Sequence, residues 1–263
     1  MIEKELGRTG EKVPVIGLGT WALYGERGEE ALIAGVKAGA YLIDTAEAYG
    51  TEPLVGRALS KLKAEGVKVF LATKVSPEHF HHDDVIKSCE GSLKRLGLST
   101  IDLYQLHWPN PSVPISETVK AMEELVDQGK IRYIGVSNFS VKQLEEARAS
   151  MKKYDVVSNQ VRYSPWDRKI EKELMPYCEK EKITVIAYSP LEHGRVFSRE
   201  DEVRAKLEKI GNAHGKSWIQ AALAWLVSKP QVVAIPKAST PEHAVEDAGA
   251  GDLVLTPEEV SAL

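Results

Sequence analysis

Four residues in the first half of the chain could do proton chemistry together: Asp44, Tyr49, Lys74 and His107. A tyrosine hydroxyl has a reference pKa of about 10, too high for efficient acid–base work at neutral pH. A nearby lysine ammonium favours the phenolate and lowers that value. An aspartate can hold the lysine charged and in place, and a histidine can hydrogen-bond and polarise the substrate oxygen. Such a set suits proton delivery to a carbonyl oxygen while its carbon accepts hydride. Two other readings stand beside it. Lys74 could form a Schiff base in a barrel isomerase or aldolase, or Asp44 and Lys74 could be a structural ion pair.

The elements that must position these residues are short, β-branched-rich runs: 13–19, 41–44, 67–74, 101–107, 131–137, 156–163, 183–189 and 231–236. Several are nearly continuous in apolar residues, as expected of parallel strands buried on both faces. Between them, 29–38, 51–63, 83–96, 115–128 and 141–151 carry apolar residues at helical spacing. Ser116 with Glu117, Ser140 and Asp83 suit helix starts, and Gly97 and Gly129 suit helix ends. The long gap before the last strand holds two helices, 201–213 and 217–228, with Gly215 between them. Strict alternation predicts an α/β fold, a (β/α)8 TIM barrel. Residues 1–12 predict an N-terminal β-hairpin plugging the barrel floor, and the doubled helix is an extra helix before strand 8. The phosphate signature of an open dinucleotide-binding sheet fails, because Ala22 stands where Gly17-x-Gly19 would need its third glycine. No linker or low-complexity tract divides residues 1–263, so one domain is expected.

In such a barrel the active site lies at the C-terminal ends of the strands. There the sequence places Asp44, Lys74, His107, Ser137 with Asn138, Gln160, Tyr188 with Ser189, and Pro236 with Lys237. Composition excludes other classes. Lys and Arg number 34 against 38 Asp and Glu, a net charge of −4, which gives no basic footprint for nucleic acid or an acidic membrane surface. The chain holds no apolar run of membrane-spanning length, and its charged N-terminus has no secretory pattern. Its two cysteines have no redox or metal spacing. A cytoplasmic, reduced protein is expected. The run His79-Phe80-His81-His82 matches no ordered zinc template, and no metal is expected.

The motifs Asp44-Thr45-Ala46-Glu47-Ala48-Tyr49-Gly50, Lys74, Leu103-Tyr104-Gln105-Leu106-His107-Trp108-Pro109 and Gly135-Val136-Ser137-Asn138-Phe139 resemble those of the aldo-keto reductases. So do Asn159-Gln160, Tyr188-Ser189-Pro190-Leu191 and Ile235-Pro236-Lys237, all in family order. The resemblance implies an NAD(P)H-dependent enzyme that reduces aldehydes and ketones reversibly. It implies Tyr49 as general acid, Lys74 and Asp44 as its tuners, and His107 as the group orienting the carbonyl. Ser137, Asn138 and Gln160 would bind the nicotinamide carboxamide, and Tyr188 would stack on its ring. Ser189, Leu191 and the segment Ile235, Pro236, Lys237, Ala238, Ser239 and Thr240 would line the pyrophosphate and adenosine. Gly19, Thr20, Trp21, His243, Glu246 and Asp247 complete the expected cofactor set, and Trp21, Tyr49, His107 and Trp108 the substrate pocket. A small carbonyl or alcohol is the expected partner, and the chain is expected to be a monomer. A cofactor-binding sensor or regulatory subunit of the same fold is the alternative; the intact tetrad weighs against it.

Two departures from the family pattern carry expectations. His243 stands where many members have an arginine that clamps the 2′-phosphate of NADP. An imidazole is mostly neutral at neutral pH and lacks the guanidinium fork, so dual use of NADP and NAD is expected, with NADP preference weakened. The sequence stops where narrow-specificity members carry a further tail, and the loops after His107 and Ser189 look short, so an open, shallow pocket is expected.

Overall fold

The computed structural model describes residues 1–263. An antiparallel hairpin comes first, β1 (Glu3–Glu5) with β2 (Lys12–Pro14). The parallel strands are β3 (Leu18–Gly19), β4 (Leu42–Asp44), β5 (Phe70–Val75), β6 (Ile101–Leu106), β7 (Ile131–Ser137), β8 (Val156–Arg162), β9 (Thr184–Tyr188) and β10 (Val232–Ala234). Each pairs with the next in sequence. The ring closes where Ile16 bridges Ala234 and the N–H groups of Gly17 and Gly19 donate to the carbonyls of Ala234 and Pro236, both at 2.8 Å. The helices between are α1 (Gly25–Lys37), α2 (Glu52–Ala64), α3 (His82–Leu96), α4 (Ile115–Asp127), α5 (Val141–Ser150), α6 (Leu174–Glu181), α7 (Glu202–Ala213) and α8 (Trp218–Val227). After β10 come α9 (Pro241–Ala248) and α10 (Pro257–Ser261). This is the expected barrel, with the hairpin and with α7 and α8 together before the last strand.

Three details differ from the sequence reading. The expected strand 13–19 is two elements. Pro14 has no N–H to continue a ladder, so the hairpin strand ends there and the barrel strand starts at Leu18. Val15 ties the two, donating to the Ile2 carbonyl at 3.0 Å and accepting from Ala234 N–H at 2.9 Å. Asp83 does not cap α3: the N-cap is His81, and Asp83 lies in the first turn, where its charge faces the positive end of the helix. Ser116 likewise falls inside the first turn of α4, behind Pro114. Ser140, Gly97 and Gly129 act as expected. Ser140 forms a capping box with Gln143, and the two glycines take the left-handed backbone that ends their helices.

Alternation along the strands sets what fills the barrel. Residues two apart face the same side. The interior floor is therefore Leu42 of β4, Phe70 and Ala72 of β5, Leu103 of β6, Ile186 of β9 and Val233 of β10, packed with Leu6 and Val13 of the hairpin. Two residues further along the same strands, the interior turns polar: Asp44, Lys74 and Gln105. The mid-layer is tight. A Cβ added at Gly135 would lie 2.5 Å from Ser158 Oγ and 2.9 Å from Gln105 Cγ, so only glycine lets these strands approach. The opposite faces of the strands pack on the helices as the main core.

Candidate active site

Asp44 ends β4, and one turn of 3-10 helix, Glu47–Tyr49, carries the chain back over the barrel mouth. Gly50, left-handed at φ 67°, turns it into α2. Lys74 is fully buried on β5 and Asp44 is 2% exposed. Lys74 Nζ donates to Asp44 Oδ2 at 2.6 Å, to the Thr45 carbonyl at 2.8 Å and to the Tyr49 hydroxyl at 3.2 Å. All three of its donors are thus committed. The Tyr49 hydroxyl lies 3.4 Å from His107 Nε2, with the two rings edge to face. The structure brings the four candidate residues into one connected set.

Burial decides the electrostatics. It pushes the Tyr49 hydroxyl above its ordinary value; the Lys74 charge pulls the other way, and Asp44 opposes that pull. The sequence expectation of a lowered tyrosine pKa is therefore corrected, because loss of solvation outweighs the lysine. Burial also pushes Lys74 down, but Asp44 and Tyr49 carry it above its ordinary value, so the ammonium persists. His107 falls to about 4, from burial first and Lys74 second, and is uncharged at neutral pH.

Asp44 has two further partners. Gln160 Nε2 donates to its Oδ1 at 2.7 Å and Gln105 Nε2 at 3.3 Å. Gln105 was not among the sequence candidates; its inward direction follows from its register with Lys74 and Gly135. Ser137 Oγ donates to the Gln160 carbonyl at 2.9 Å, Asn138 Nδ2 donates to Ser137 Oγ at 3.0 Å, and the Tyr188 hydroxyl donates to Asn138 Oδ1 at 3.0 Å. These residues from β7, β8 and β9 form a polar wall beside Tyr49.

A cleft of about 540 Å³ runs from Tyr49 and His107 past Ser189 and Leu191 and along Ile235–Ser239 to α9. Every sequence-expected site residue lines it except two. Lys74 lies behind Tyr49, wholly covered. Thr240 uses its hydroxyl to cap α9, accepting from His243 N–H at 3.3 Å. Trp21 and Trp108 flank the mouth, 54% and 50% exposed.

The loop after β9 adds His193, Gly194 and Phe197 to the lining. His193 Nε2 pairs with Ser189 Oγ at 3.0 Å, and its ring meets Trp21 edge-on. Ser189, Glu192 and His193 all take left-handed backbone, a strained choice for non-glycine residues. The loop is held by Glu192, 4% exposed, which accepts from Ser164 Oγ at 2.6 Å and pairs with Arg162. The histidine run behaves as separate surface pairs, His79 with Glu47, His81 with Glu117, and His82 with Asp83 and Glu124. No group of three or more His, Cys, Asp or Glu is arranged to hold a metal ion. No helix is long and apolar enough to cross a membrane.

The sequence matches the aldo/keto reductase family model over residues 15–263. It is 39% identical to methylglyoxal reductase YeaE of Escherichia coli, over 95% of this chain and 90% of that one. The fold superimposes on the thermostable aldo-keto reductase Tm1743, in complex with the inhibitor epalrestat, with a TM-score of 0.92, 43% identity, and coverage of 99% and 98%. An aldo/keto reductase from Klebsiella pneumoniae in complex with NADP and acetate matches with a TM-score of 0.85, 37% identity, and coverage of 98% and 93%. The chain belongs to the aldo/keto reductase family and is an oxidoreductase that uses a nicotinamide cofactor to reduce carbonyl compounds.

Proposed function

We propose that Tyr49 is the general acid of this reduction, with Lys74 and Asp44 tuning it and His107 orienting the substrate carbonyl. The observation that carries the reading is the Tyr49 hydroxyl held between Lys74 Nζ and His107 Nε2 beside the cleft. Burial keeps the hydroxyl protonated, which reduction requires. The reduced nicotinamide, when bound, supplies hydride to the carbonyl carbon. Tyr49 gives its proton to the carbonyl oxygen as negative charge develops there, and the fixed Lys74 ammonium stabilises the phenolate left behind. His107, uncharged, can hydrogen-bond the same oxygen without competing for the proton.

The lining fits a nicotinamide dinucleotide. Ser137, Asn138 and Gln160 offer polar groups for the carboxamide, and Tyr188 a flat face for the ring. Gly19 lies so close to the Ile235 carbonyl that a Cβ would meet it at 3.0 Å, so the backbone forms a smooth cradle. At the far end Lys237 donates to Ser239 at 2.8 Å, and both are exposed beside His243. With no arginine among the residues lining the cleft, the reading is dual use of NADP and NAD with weakened NADP preference. The substrate is an activated small carbonyl compound, a 2-oxoaldehyde such as methylglyoxal, held between Trp21 and Trp108. The relative named methylglyoxal reductase supports that class. The protein works as a single-domain monomer in the cytoplasm. Its two free, buried cysteines suit a reducing compartment.

The test mixes the purified protein with NADH or NADPH and a panel of aldehydes, ketones and 2-oxo compounds, following loss of nicotinamide absorbance. Turnover of 2-oxoaldehydes with both cofactors is expected. Cofactor binding without turnover on the whole panel would remove the general-acid reading. An NADPH preference beyond about 100-fold, close to a full clamp's worth of about 3 kcal/mol, would remove the dual-use reading.

A further inference from the structure

The hydrogen-bond ladder that joins β4 to β5 ends at Thr45, whose N–H donates to the Ala72 carbonyl at 2.9 Å. Tyr49 comes four residues later, on a turn that has left the sheet. The backbone bonds of that turn are local: Tyr49 N–H donates to the Ala46 carbonyl and Gly50 N–H to that of Glu47. They shape the turn and do not fix it to the barrel. Its two ends are pinned. The Thr45 carbonyl accepts from Lys74 Nζ at 2.8 Å, and the Thr51 hydroxyl meets those of Thr45 and Thr20 at 2.9 and 3.1 Å. Between these ends Ala46, Ala48 and Gly50 carry no polar side chain. Hydrogen bonds out of the middle of the turn therefore come from two residues, Glu47 and Tyr49.

Glu47 reaches the end of β5. Its Oε1 accepts from the Ser76 N–H at 2.6 Å and pairs with His79 Nδ1 at 2.9 Å. The Glu47 side chain is 11% exposed. Ser76 lies just past β5, is buried, and has no backbone partner for its N–H. A buried N–H needs an acceptor, and a carboxylate is a strong one. The turn and the strand end are thus joined twice. Tyr49 meets Lys74, and Glu47, two residues before Tyr49, meets Ser76, two residues after Lys74.

We propose that Glu47 is a positioning residue for the reduction: by clamping the turn to Ser76 it holds the Tyr49 hydroxyl at the Lys74 ammonium and in front of His107. This role rests on the reading of Tyr49 as general acid. The two contacts of the hydroxyl, at 3.2 and 3.4 Å, lie at and beyond the long end of the hydrogen-bond range and centre the ring only weakly. The Glu47 bond is the shorter one. Proton transfer needs the donor within hydrogen-bond reach of the carbonyl oxygen, and a misplacement of about 1 Å can cost about 10²-fold in rate. Glu47 does not line the cleft, so it acts through Tyr49 and not on cofactor or substrate.

Two variants separate reach from charge. Glu47→Gln keeps the length and the acceptor oxygen and removes the charge; Glu47→Asp keeps the charge and is one methylene short. Each is assayed with NADPH and the carbonyl compound that the wild type reduces fastest. In Glu47→Ala and Glu47→Asp kcat should fall about tenfold, with kcat/KM falling alongside and the dissociation constant for NADPH within about twofold of wild type. Glu47→Gln should keep at least about half of the wild-type kcat. In a Tyr49→Phe background Glu47→Ala should cost no more than about a further twofold, since the group it positions is gone. Wild-type kcat in Glu47→Asp, a Glu47→Gln variant as slow as Glu47→Ala, or a further tenfold loss in the Tyr49→Phe background overturns the positioning role alone. Should Glu47→Ala not fold, the Gln and Asp variants decide. Tyr49→Phe turning over at the wild-type rate removes the general-acid reading, and this role with it.

Discussion

Asp44 and Asp247 are both aspartates, both almost wholly buried, and both line the same cleft. Asp44 sits on a strand, and barrel register brings it Lys74 from β5, Gln105 from β6 and Gln160 from β8. Asp247 sits near the end of α9, where burial and the Glu246 charge push its carboxyl up to about 7. The difference teaches how the fold divides labour. The ring of strands supplies Asp44 with its partners and fixes charge where chemistry needs it. The helix at the far end leaves a buried carboxyl without a counter-charge.

The largest break in that contrast comes at the Tyr49 end. Tyr49→Phe removes one oxygen and keeps the ring against His107. Turnover should fall by about 10³-fold or more, with dissociation constants for NADH and NADPH within about twofold of wild type. A variant that keeps a tenth of wild-type kcat would show that another group supplies the proton.

Lys74→Met comes next. It leaves the Asp44 carboxylate buried with only amide partners, so stability should drop by about 3–5 kcal/mol in urea melts, and kcat by about 10²-fold. The double variant Asp44→Asn with Lys74→Met removes both charges and should recover most of the stability. Its kcat should stay low. Recovery of activity along with stability would make the pair structural and nothing more.

How the sequence revealed these regions follows the same division. The barrel was legible because buried parallel strands separated by single helices leave a regular spacing, and the four residues around Tyr49 because each falls at or just past a strand end. Gln105 was not, because its inward direction depends on register with Lys74 and Gly135, which pattern alone does not set. Beyond Ser189 and Leu191, the loop 189–198 was not legible as cleft lining. Its left-handed positions fall on Ser189, Glu192 and His193, which carry no glycine signal, and its anchor is a long-range contact from Glu192 to Ser164 and Arg162. The direction of the Tyr49 shift was inverted for a related reason: a lysine nearby can be read from sequence, the degree of burial cannot. Asp247 was legible as a cofactor residue, but its lack of a partner shows only when every neighbour is in place.

The α9 end gives a smaller effect. His243→Arg adds a permanent charge and a fork of donors beside Lys237 and Ser239, so NADPH should bind about tenfold tighter, with NADH little changed. Equal gains for both cofactors would place the new charge against the pyrophosphate instead of the 2′-phosphate.

The smallest effect returns to the Tyr49 end and concerns His107. Its folded value of about 4 lies below the roughly 6.5 of an unfolded histidine. Between these values the unfolded chain binds the proton and the folded one does not, so unfolding gains free energy from acid. The contribution of the neutral imidazole to stability is complete above about pH 6.5 and is lost as pH falls towards about 4. His107→Gln should remove that part of the acid dependence, seen as a shallower decline of the urea midpoint across this window. The reductive kcat of the wild type should meanwhile stay within about twofold between pH 6 and 8, because neither His107 nor Tyr49 changes protonation there. A kcat that follows a single ionisation near pH 6.5 would mean that the imidazole is solvated during turnover, and that the Tyr49 end is less closed than its paired charges require.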